Sequence, residues 1–222
     1  MRTFFKQSSL SLFFALIFLL SLLGQAIAGR MEFNATQYAD GLGLVSFWQY
    51  VASADFAVDV TENWQSEFLQ FLLFITATIW FVQKGSPESK ALDKVGLGSD
   101  KDQKLGRYAE PDSPRWARVG GVRTTVFSWS LTLTMAGIFL ACWAVQAVAG
   151  WAAFNETRFQ NLQDPLTLAG YLGAPEFWSR SLQNWQSEFL AVGSMAVLSV
   201  YLRQRGSSES KPVGEPHSTG ES

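Results

Sequence analysis

Two long runs of this sequence contain no Lys, Arg, Asp or Glu, and they limit the fold more than any other feature. They cover residues 7–29 and 124–155. A helix rises about 1.5 Å per residue, so about 20 such residues cross the roughly 30 Å hydrocarbon core of a bilayer. Neither run alternates apolar and polar residues as a membrane β-strand does. The two runs therefore predict an all-α integral membrane protein.

Composition excludes several other classes of protein. The chain has 222 residues, of which 48% are hydrophobic, and its 17 basic residues nearly balance its 19 acidic ones. This argues against a disordered chain and against a nucleic-acid binder. The only cysteine is Cys142, and the only histidine, His217, lies in a polar C-terminal tail. With the common catalytic and nucleotide-binding motifs also missing, we expect no enzyme, no metal and no cofactor.

Four segments have the length of a membrane span, although the second and fourth each carry a glutamate near their start. Their approximate bounds are 9–29, 64–84, 126–150 and 185–205. Ser53 and Pro175 are residue types that favour a helix start, as an N-cap and as a first helical residue. We therefore expect the second and fourth helices to begin there, before the membrane, and to end at Gly85 and Gly206.

The first span also resembles a secretory signal, because Ala26-Ile27-Ala28 has the pattern of a cleavage site. A related sequence recurs inside the chain at residues 146–150, which favours a retained helix end instead. Basic residues concentrate before the first span, between the second and third, and after the fourth. Such segments lie on the cytoplasmic side, so both termini should be cytoplasmic.

The chain contains an internal duplication. Residues 9–90 align with the second half at a constant offset of 121 positions and without a gap. The longest identical block is NWQSEFL, at 63–69 and 184–190, and a second pair reads QKGSPESK at 83–90 and QRGSSESK at 204–211. Seven consecutive identities at the offset of all the other matches exclude coincidence. Each copy holds two spans, so both copies enter the membrane in the same direction.

The predicted architecture is a four-helix integral membrane bundle built from two tandem parallel helical-hairpin repeats. The boundaries are 1–90 for the first hairpin, 91–123 for a flexible cytoplasmic linker, 124–211 for the second hairpin and 212–222 for a disordered tail. The expected partners are the lipid bilayer and a further copy of the chain, with no nucleic acid.

The residues of most chemical interest are Glu67 and Glu188. From Glu67 to Lys84 a helix extends about 26 Å, less than the hydrocarbon core of about 30 Å, so the carboxylate lies at or just inside the outer boundary. Amide side chains are expected at a similar depth, namely Gln25, Gln146, Asn63 and Asn184. One interpretation is that these polar groups hold membrane helices together. A second is a site where the two glutamates bind a proton or a cation, and a third is that both carboxylates face water at the outer surface.

Basic residues of the second repeated block, together with Arg203 directly before it, allow two interpretations as well. They are Lys84, Lys90, Arg203, Arg205 and Lys211. In the first interpretation these residues mark a helix end followed by a solvated turn. In the second they bind anionic lipid headgroups. Asn34 and Asn155 match glycosylation sequons, but we expect them to be turn or cap residues in the connecting loops.

At its two repeated blocks the sequence resembles a bacterial family of uncharacterised membrane proteins, a domain of unknown function. The resemblance rests on NWQSEFL in both halves and on the downstream GSPESK and GSSESK. It implies a location in the bacterial inner membrane and supplies no activity or catalytic residue. Because catalytic motifs are missing and the polar residues suffice to hold membrane helices together, we expect a non-enzymatic protein with a structural or interaction role in the envelope. The alternative is a small proton- or cation-coupled transporter or channel that uses Glu67 and Glu188.

Overall fold

The computed structural model of the protein describes residues 2–218, and in that range all regular secondary structure is helical. This confirms the prediction of an all-helical chain, whereas the four-helix membrane bundle stays a prediction. The α-helices are α1 (Arg2–Gln7), α2 (Ser9–Ala39), α3 (Phe47–Val51), α4 (Ala54–Trp80), α5 (Arg115–Arg118), α6 (Gly121–Ser128), α7 (Ser130–Gln160), α8 (Leu168–Leu172) and α9 (Pro175–Tyr201).

Three pairs of helices have bounds that differ by the same 121 positions as the sequence repeat. They are α2 with α7, at 31 residues each, α3 with α8, at 5 residues each, and α4 with α9, at 27 residues each. The predicted starts of α4 and α9 are confirmed: the Ser53 hydroxyl accepts a bond from the backbone N–H of Phe56, and Pro175 opens α9.

Two helices of the described chain, α2 and α7, are long and apolar enough to cross a membrane. The mean hydropathy of their most apolar windows is 2.3 and 1.8. Both helices extend about three turns beyond the predicted spans, to Ala39 and Gln160. α4 and α9 carry acidic residues in their first halves, and spans through these two helices stay predictions.

The chain divides into two compact units. Unit 1 contains Met1–Thr61 and Val145–Tyr171, and unit 2 contains Glu62–Ala144 and Leu172–Ser222.

In unit 1, two asparagines fix the segments that follow α2 and α7. The Asn34 amide donates to the Val45 carbonyl at 3.0 Å and accepts from the Val45 N–H at 2.8 Å. Asn155 makes the same two bonds with Leu166, at 2.9 and 2.8 Å. Both asparagines lie within helices, so their placement in loops was wrong. Each one acts as a clamp that ties a connector back to the preceding helix.

Two tyrosines lie against helical glycines in unit 1. Tyr50 and Tyr171 are buried, and their hydroxyls contact the positions that side chains would occupy on Gly29 and Gly150. The close approach of each ring to the helix therefore requires glycine at that position.

The turns that leave α2 and α7 have the same backbone path but different residues. Leu42 N–H donates to Gln37 O, and Gln163 N–H donates to Arg158 O, both at 2.8 Å. Both turns need a positive φ just after the helix, which Gly41 supplies at 71° and Leu162 at 56°. Leu162 is 97% exposed, so packing does not select this leucine.

In unit 2, α4 and α9 end four residues before the predicted span ends, at Trp80 and Tyr201. The prediction that they end at Gly85 and Gly206 was wrong, because the chain folds back and bonds the last carbonyls earlier. Gly96 N–H donates to Ile79 O at 2.8 Å, and His217 Nδ1 lies 3.0 Å from Val200 O.

The predicted linker and tail contain local structure as well. The segment 91–123 holds two short 3-10 helices, Leu92–Lys94 and Gly106–Tyr108, together with α5 and the start of α6. The tail folds back to α9 as far as His217, and its last residues, 219–222, lie outside the described residues.

Candidate functional site

The two NWQSEFL blocks lie in the middle of α4 and α9, and unit 2 brings them together. The indole N–H of Trp185 donates to the Gln65 side-chain oxygen at 2.8 Å. The single hydroxyl hydrogen of Ser66 is shared between the Asn63 carbonyl, at 2.8 Å, and Glu188 Oε1, at 3.4 Å. Gln65 is completely buried, and its amide also donates to the Glu62 carbonyl at 3.0 Å. The blocks therefore form a polar contact between two helices.

The two predicted glutamates have different environments. Glu188 is half-buried and accepts the bond from Ser66, whereas Glu67 is exposed. The two carboxylates lie within electrostatic reach of each other, so their charges repel. The structure thus brings the pair together, with only one member engaged in the helix contact.

The four predicted amides are distributed over both units. Asn63 and Asn184 belong to unit 2 with the glutamates, and the Asn184 amide donates to the Arg180 carbonyl at 3.0 Å. Gln25 and Gln146 belong to unit 1, where Gln25 is exposed and Gln146 is buried.

An ion pair in the N-terminal parts of these helices was missed by sequence reasoning. Arg180 Nε lies 3.3 Å from Glu62 Oε2 and 3.8 Å from Glu176 Oε1. The signal was available in the repeat, since the counterpart of Arg180 is Asp59 and the counterpart of Glu62 is Gln183. The copies therefore differ in charge at both positions, and the basic residue of the second copy contacts the acidic residue of the first.

A cluster of aromatic rings around Trp143 was also missed. Trp143 stacks on Phe139 at a centroid distance of 5.5 Å and on Phe177 at 6.1 Å, and it meets Trp185 at 5.8 Å. The ring of Trp178 lies edge-on at 6.2 Å. This packing holds Trp185 in position for its bond to Gln65. The sequence signal was a difference between the two copies, because the second copy has Trp143 where the first has a leucine.

A known sequence family matches residues 1–222 and carries the description "Domain of unknown function (DUF6766)". The chain belongs to the DUF6766 family. This confirms the predicted membership of an uncharacterised family. Comparisons with curated proteins and with solved structures gave no match.

Most of the basic residues in the second repeated block of this DUF6766 chain bind backbone carbonyls. Lys90 Nζ donates to Gly96 O at 2.7 Å, and Lys211 Nζ donates to His217 O at 3.2 Å. The Arg203 guanidinium donates to Ser199 O and Val200 O, at 3.2 and 3.0 Å. These contacts fit the helix-end interpretation of these residues.

Lys84 and Arg205 are exposed and stay candidates for lipid headgroups. Arg205 borders an open depression of about 630 Å³ in the loop after α9. Lys211 also borders it but is 4% exposed, so Arg205 is the accessible cation there.

The two glutamates of the repeated GSxESK block, Glu88 and Glu209, lie near each other in unit 2. Partial burial raises the pKa of Glu88 above its ordinary value, and the charge of Glu209 raises it further. The backbone N–H of each glutamate is bonded to a serine hydroxyl two residues earlier. Among residues 2–218, no group of three or more His, Cys, Asp or Glu side chains is placed to hold a metal ion.

Proposed function

We propose that this DUF6766 chain is a multi-pass integral membrane protein with a non-enzymatic structural or interaction role in the bacterial envelope. The proposed location is the inner membrane, with the lipid bilayer as the main partner. Support comes from α2 and α7, which have the length and apolar content of spans. Large apolar side chains project from α2 unburied, including Leu10, Phe14 and Leu19. Lipid would cover these surfaces favourably.

The proposed topology has four spans, made of two parallel hairpins, with both termini and the central linker in the cytoplasm. The constant 121-residue offset of the helix pairs supports two equivalent hairpins. The distribution of Lys and Arg supports the orientation, because basic loops stay on the cytoplasmic side.

The main support for a structural role is that side chains of the NWQSEFL blocks form hydrogen bonds between α4 and α9. Gln65, Ser66, Trp185 and Glu188 bond one another across α4 and α9. Hydrogen bonds between membrane helices contribute about 0.6 kcal/mol on average and up to about 2 kcal/mol. Their chemistry is sufficient for holding two helices in register, and it requires no substrate.

Cysteine labelling tests the topology. In a Cys142→Ala background, single cysteines replace Leu44 and Leu162 in the two connectors and Asp112 in the linker, all exposed positions. We expect a membrane-impermeant maleimide to label both connector variants in intact spheroplasts, and the linker variant only after permeabilisation. Connectors on opposite sides would overturn the parallel hairpins, and a chain in the soluble fraction would overturn the membrane assignment.

A second candidate function is a proton or cation pathway. It is favoured by the half-burial of Glu188 and by its proximity to Glu67. The discriminating experiment is ion and proton flux into liposomes that contain the purified protein. The structural role predicts no flux above empty liposomes. A flux that Glu188→Gln abolishes, and that the exposed control Glu176→Gln retains, would establish the pathway instead.

A further inference from the structure

The two GSxESK turns, at 83–90 and 204–211, have the same backbone in unit 2. After α4, the backbone N–H of Gln83 donates to the Ser89 hydroxyl at 2.8 Å. After α9, the backbone N–H of Gln204 donates to the Ser210 hydroxyl at 2.9 Å. The glycine of each turn has a positive φ, 88° in the first and 84° in the second. The two turns therefore offer the same shape to a neighbouring group.

The first turn is covered by protein. The carbonyl oxygen of His217 and the side chain of Val200 approach the position that a side chain on Gly85 would take. The adjacent Ser86 is buried, and its hydroxyl lies 3.4 Å from that of Ser199. An oxygen atom of the tail thus already lies against this turn.

The second turn is open. Apart from its chain neighbours, no atom of residues 2–218 lies within 4 Å of the position that a side chain on Gly206 would take. Gly206, Arg205 and Ser207 line the depression of about 630 Å³. With the same backbone and no protein cover, the second turn has room for a ligand.

The depression offers hydrogen-bond donors to an anion. The exposed Arg205 guanidinium donates to no group among residues 2–218, and the hydroxyl hydrogen of Ser207 has no acceptor in that range either. Lys211 adds a positive charge at the wall, where its ammonium donates to two backbone carbonyls. The acidic residue of the turn, Glu209, does not line the depression, and its carboxylate accepts the Ser208 hydroxyl at 3.1 Å. Guanidinium and hydroxyl donors suit phosphate oxygens.

Apolar side chains accompany these donors. Val213 lines the depression and is exposed, and Tyr201 and Leu202, which precede the turn, are exposed as well. A free phosphate ion would leave these side chains in water, whereas the acyl chains of a phospholipid would cover them. The combination therefore favours a phospholipid over a soluble phosphate.

We infer that the turn after α9 binds the phosphate of an anionic phospholipid from the cytoplasmic leaflet. Arg205 and Ser207 donate to the phosphate oxygens, and the acyl chains lie along Val213 and Leu202. A phosphate oxygen thus takes the place on the second turn that the His217 carbonyl takes on the first. This inference rests on the proposed membrane location and deepens it, because it names a lipid class and the residues that bind it.

Binding of phosphatidylglycerol to the purified full-length protein tests the inference, with native mass spectrometry in detergent as the measurement. We expect tighter binding of phosphatidylglycerol than of phosphatidylcholine with the same acyl chains. Arg205→Gln should weaken the binding of phosphatidylglycerol about fivefold, the contribution of one basic residue near anionic lipid. The matched control, Lys84→Gln, removes the equivalent charge beside the covered turn and should leave the affinity unchanged. Val213→Glu should weaken binding by charge repulsion, and it provides a second variant if Arg205→Gln does not fold.

The outcomes distinguish the alternatives. Equal affinity of the wild type and a folded Arg205→Gln overturns the inference, and so do equal losses in Arg205→Gln and Lys84→Gln. Glycerol phosphate that displaces the lipid at equal concentration would indicate a soluble ligand and overturn the lipid assignment.

Fractionation of the expressing cells separates this inference from the proposed function. Protein in the membrane fraction whose lipid binding is unchanged by Arg205→Gln contradicts only the inference. Protein in the soluble fraction contradicts the proposed membrane location, and with it the lipid ligand.

Discussion

The two NWQSEFL blocks are identical in sequence and differ in what they bury. The block of α4 buries Gln65 and Ser66, whereas the block of α9 exposes the equivalent Gln186 and Ser187. The difference cannot come from the blocks themselves. It comes from the flanking residues, and it shows that the burial of a polar side chain depends on the neighbouring helix.

The flanking residues differ in charge and in aromatic content. Arg180 has the acidic counterpart Asp59, and Trp143 has a leucine as counterpart. Arg180 forms an ion pair with Glu62 of α4, and Trp143 packs against Trp185. Both interactions stabilise the observed pairing, in which Gln65 and Ser66 of α4 contact Trp185 and Glu188 of α9.

The largest effect that distinguishes the blocks is expected at the glutamines. Gln65→Leu removes the acceptor of the Trp185 indole and leaves that donor without its partner, so we expect the free energy of unfolding to fall by about 1–3 kcal/mol. Gln186→Leu on the exposed face should change it by less than about 0.5 kcal/mol. Denaturant titration in one detergent measures both, and equal losses would show that the two blocks are equivalent.

The next effect is the coupling of Glu62 with Arg180. The two side chains are 16% and 34% exposed, so solvent screens the pair only in part. A double-mutant cycle of Glu62→Gln and Arg180→Gln should give a coupling free energy of about 1 kcal/mol. The more distant and more exposed Glu176, in the same cycle with Arg180, should give less than half of that. A Glu62 coupling near zero would mean that the ion pair does not select the pairing of the blocks.

A smaller effect is expected at the serines. Ser66→Ala removes a hydroxyl that bonds Glu188 across the helices, and we expect a loss of about 0.6 kcal/mol in the free energy of unfolding. Ser187→Ala removes a hydroxyl bonded only within its own helix, so the loss should be close to zero. A larger loss for Ser187→Ala than for Ser66→Ala would contradict the assignment of Ser66 to the contact between the two helices.

The smallest effect is a dependence of stability on pH from the second pair of blocks. The pKa of Glu88 is raised in the folded chain, so its contribution is greatest below the unfolded value of about 4.5 and is lost as pH rises through the folded pKa. Glu88→Gln should therefore flatten the fall in stability above pH 4.5, by less than about 0.5 kcal/mol. Glu209→Gln should flatten it less, because the repulsion is the smaller cause. A steeper fall of stability with rising pH in Glu88→Gln than in the wild type would contradict the raised pKa of Glu88.

The helix starts could be predicted from sequence because their determinants are local. Ser53 caps the residues that follow it, and Pro175 fixes its own φ. The helix ends could not, because Ile79 O and Val200 O are bonded by residues Gly96 and His217, far along the chain. The predicted spans were bounded by the first charged residues, which limit the apolar segment and not the helix. For this reason the predicted first span ended at residue 29, whereas α2 continues to Ala39.

The sequence identified the glutamates of the candidate site, but it did not predict which side chains contact one another. Sequence indicated that Glu67 and Glu188 matter equally, since their surrounding residues are identical. Only the packing of α4 against α9 shows which of the two is engaged, because helical periodicity is the same for both. The Trp143 cluster was missed because an aromatic residue in an apolar run can face either lipid or protein, and the sequence does not show which.

Leu162 shows what the duplication preserved and what it did not. A left-handed residue other than glycine raises the energy of the folded backbone by about 1 kcal/mol, and Leu162 holds this conformation where the first copy has Gly41. The clamp at Asn155 and the turn bonds after α7 impose the backbone path without regard to the residue at its tightest point. The two turns therefore share a backbone path although only the first has the residue type that suits it, so the second turn stores about 1 kcal/mol of backbone strain that the first does not.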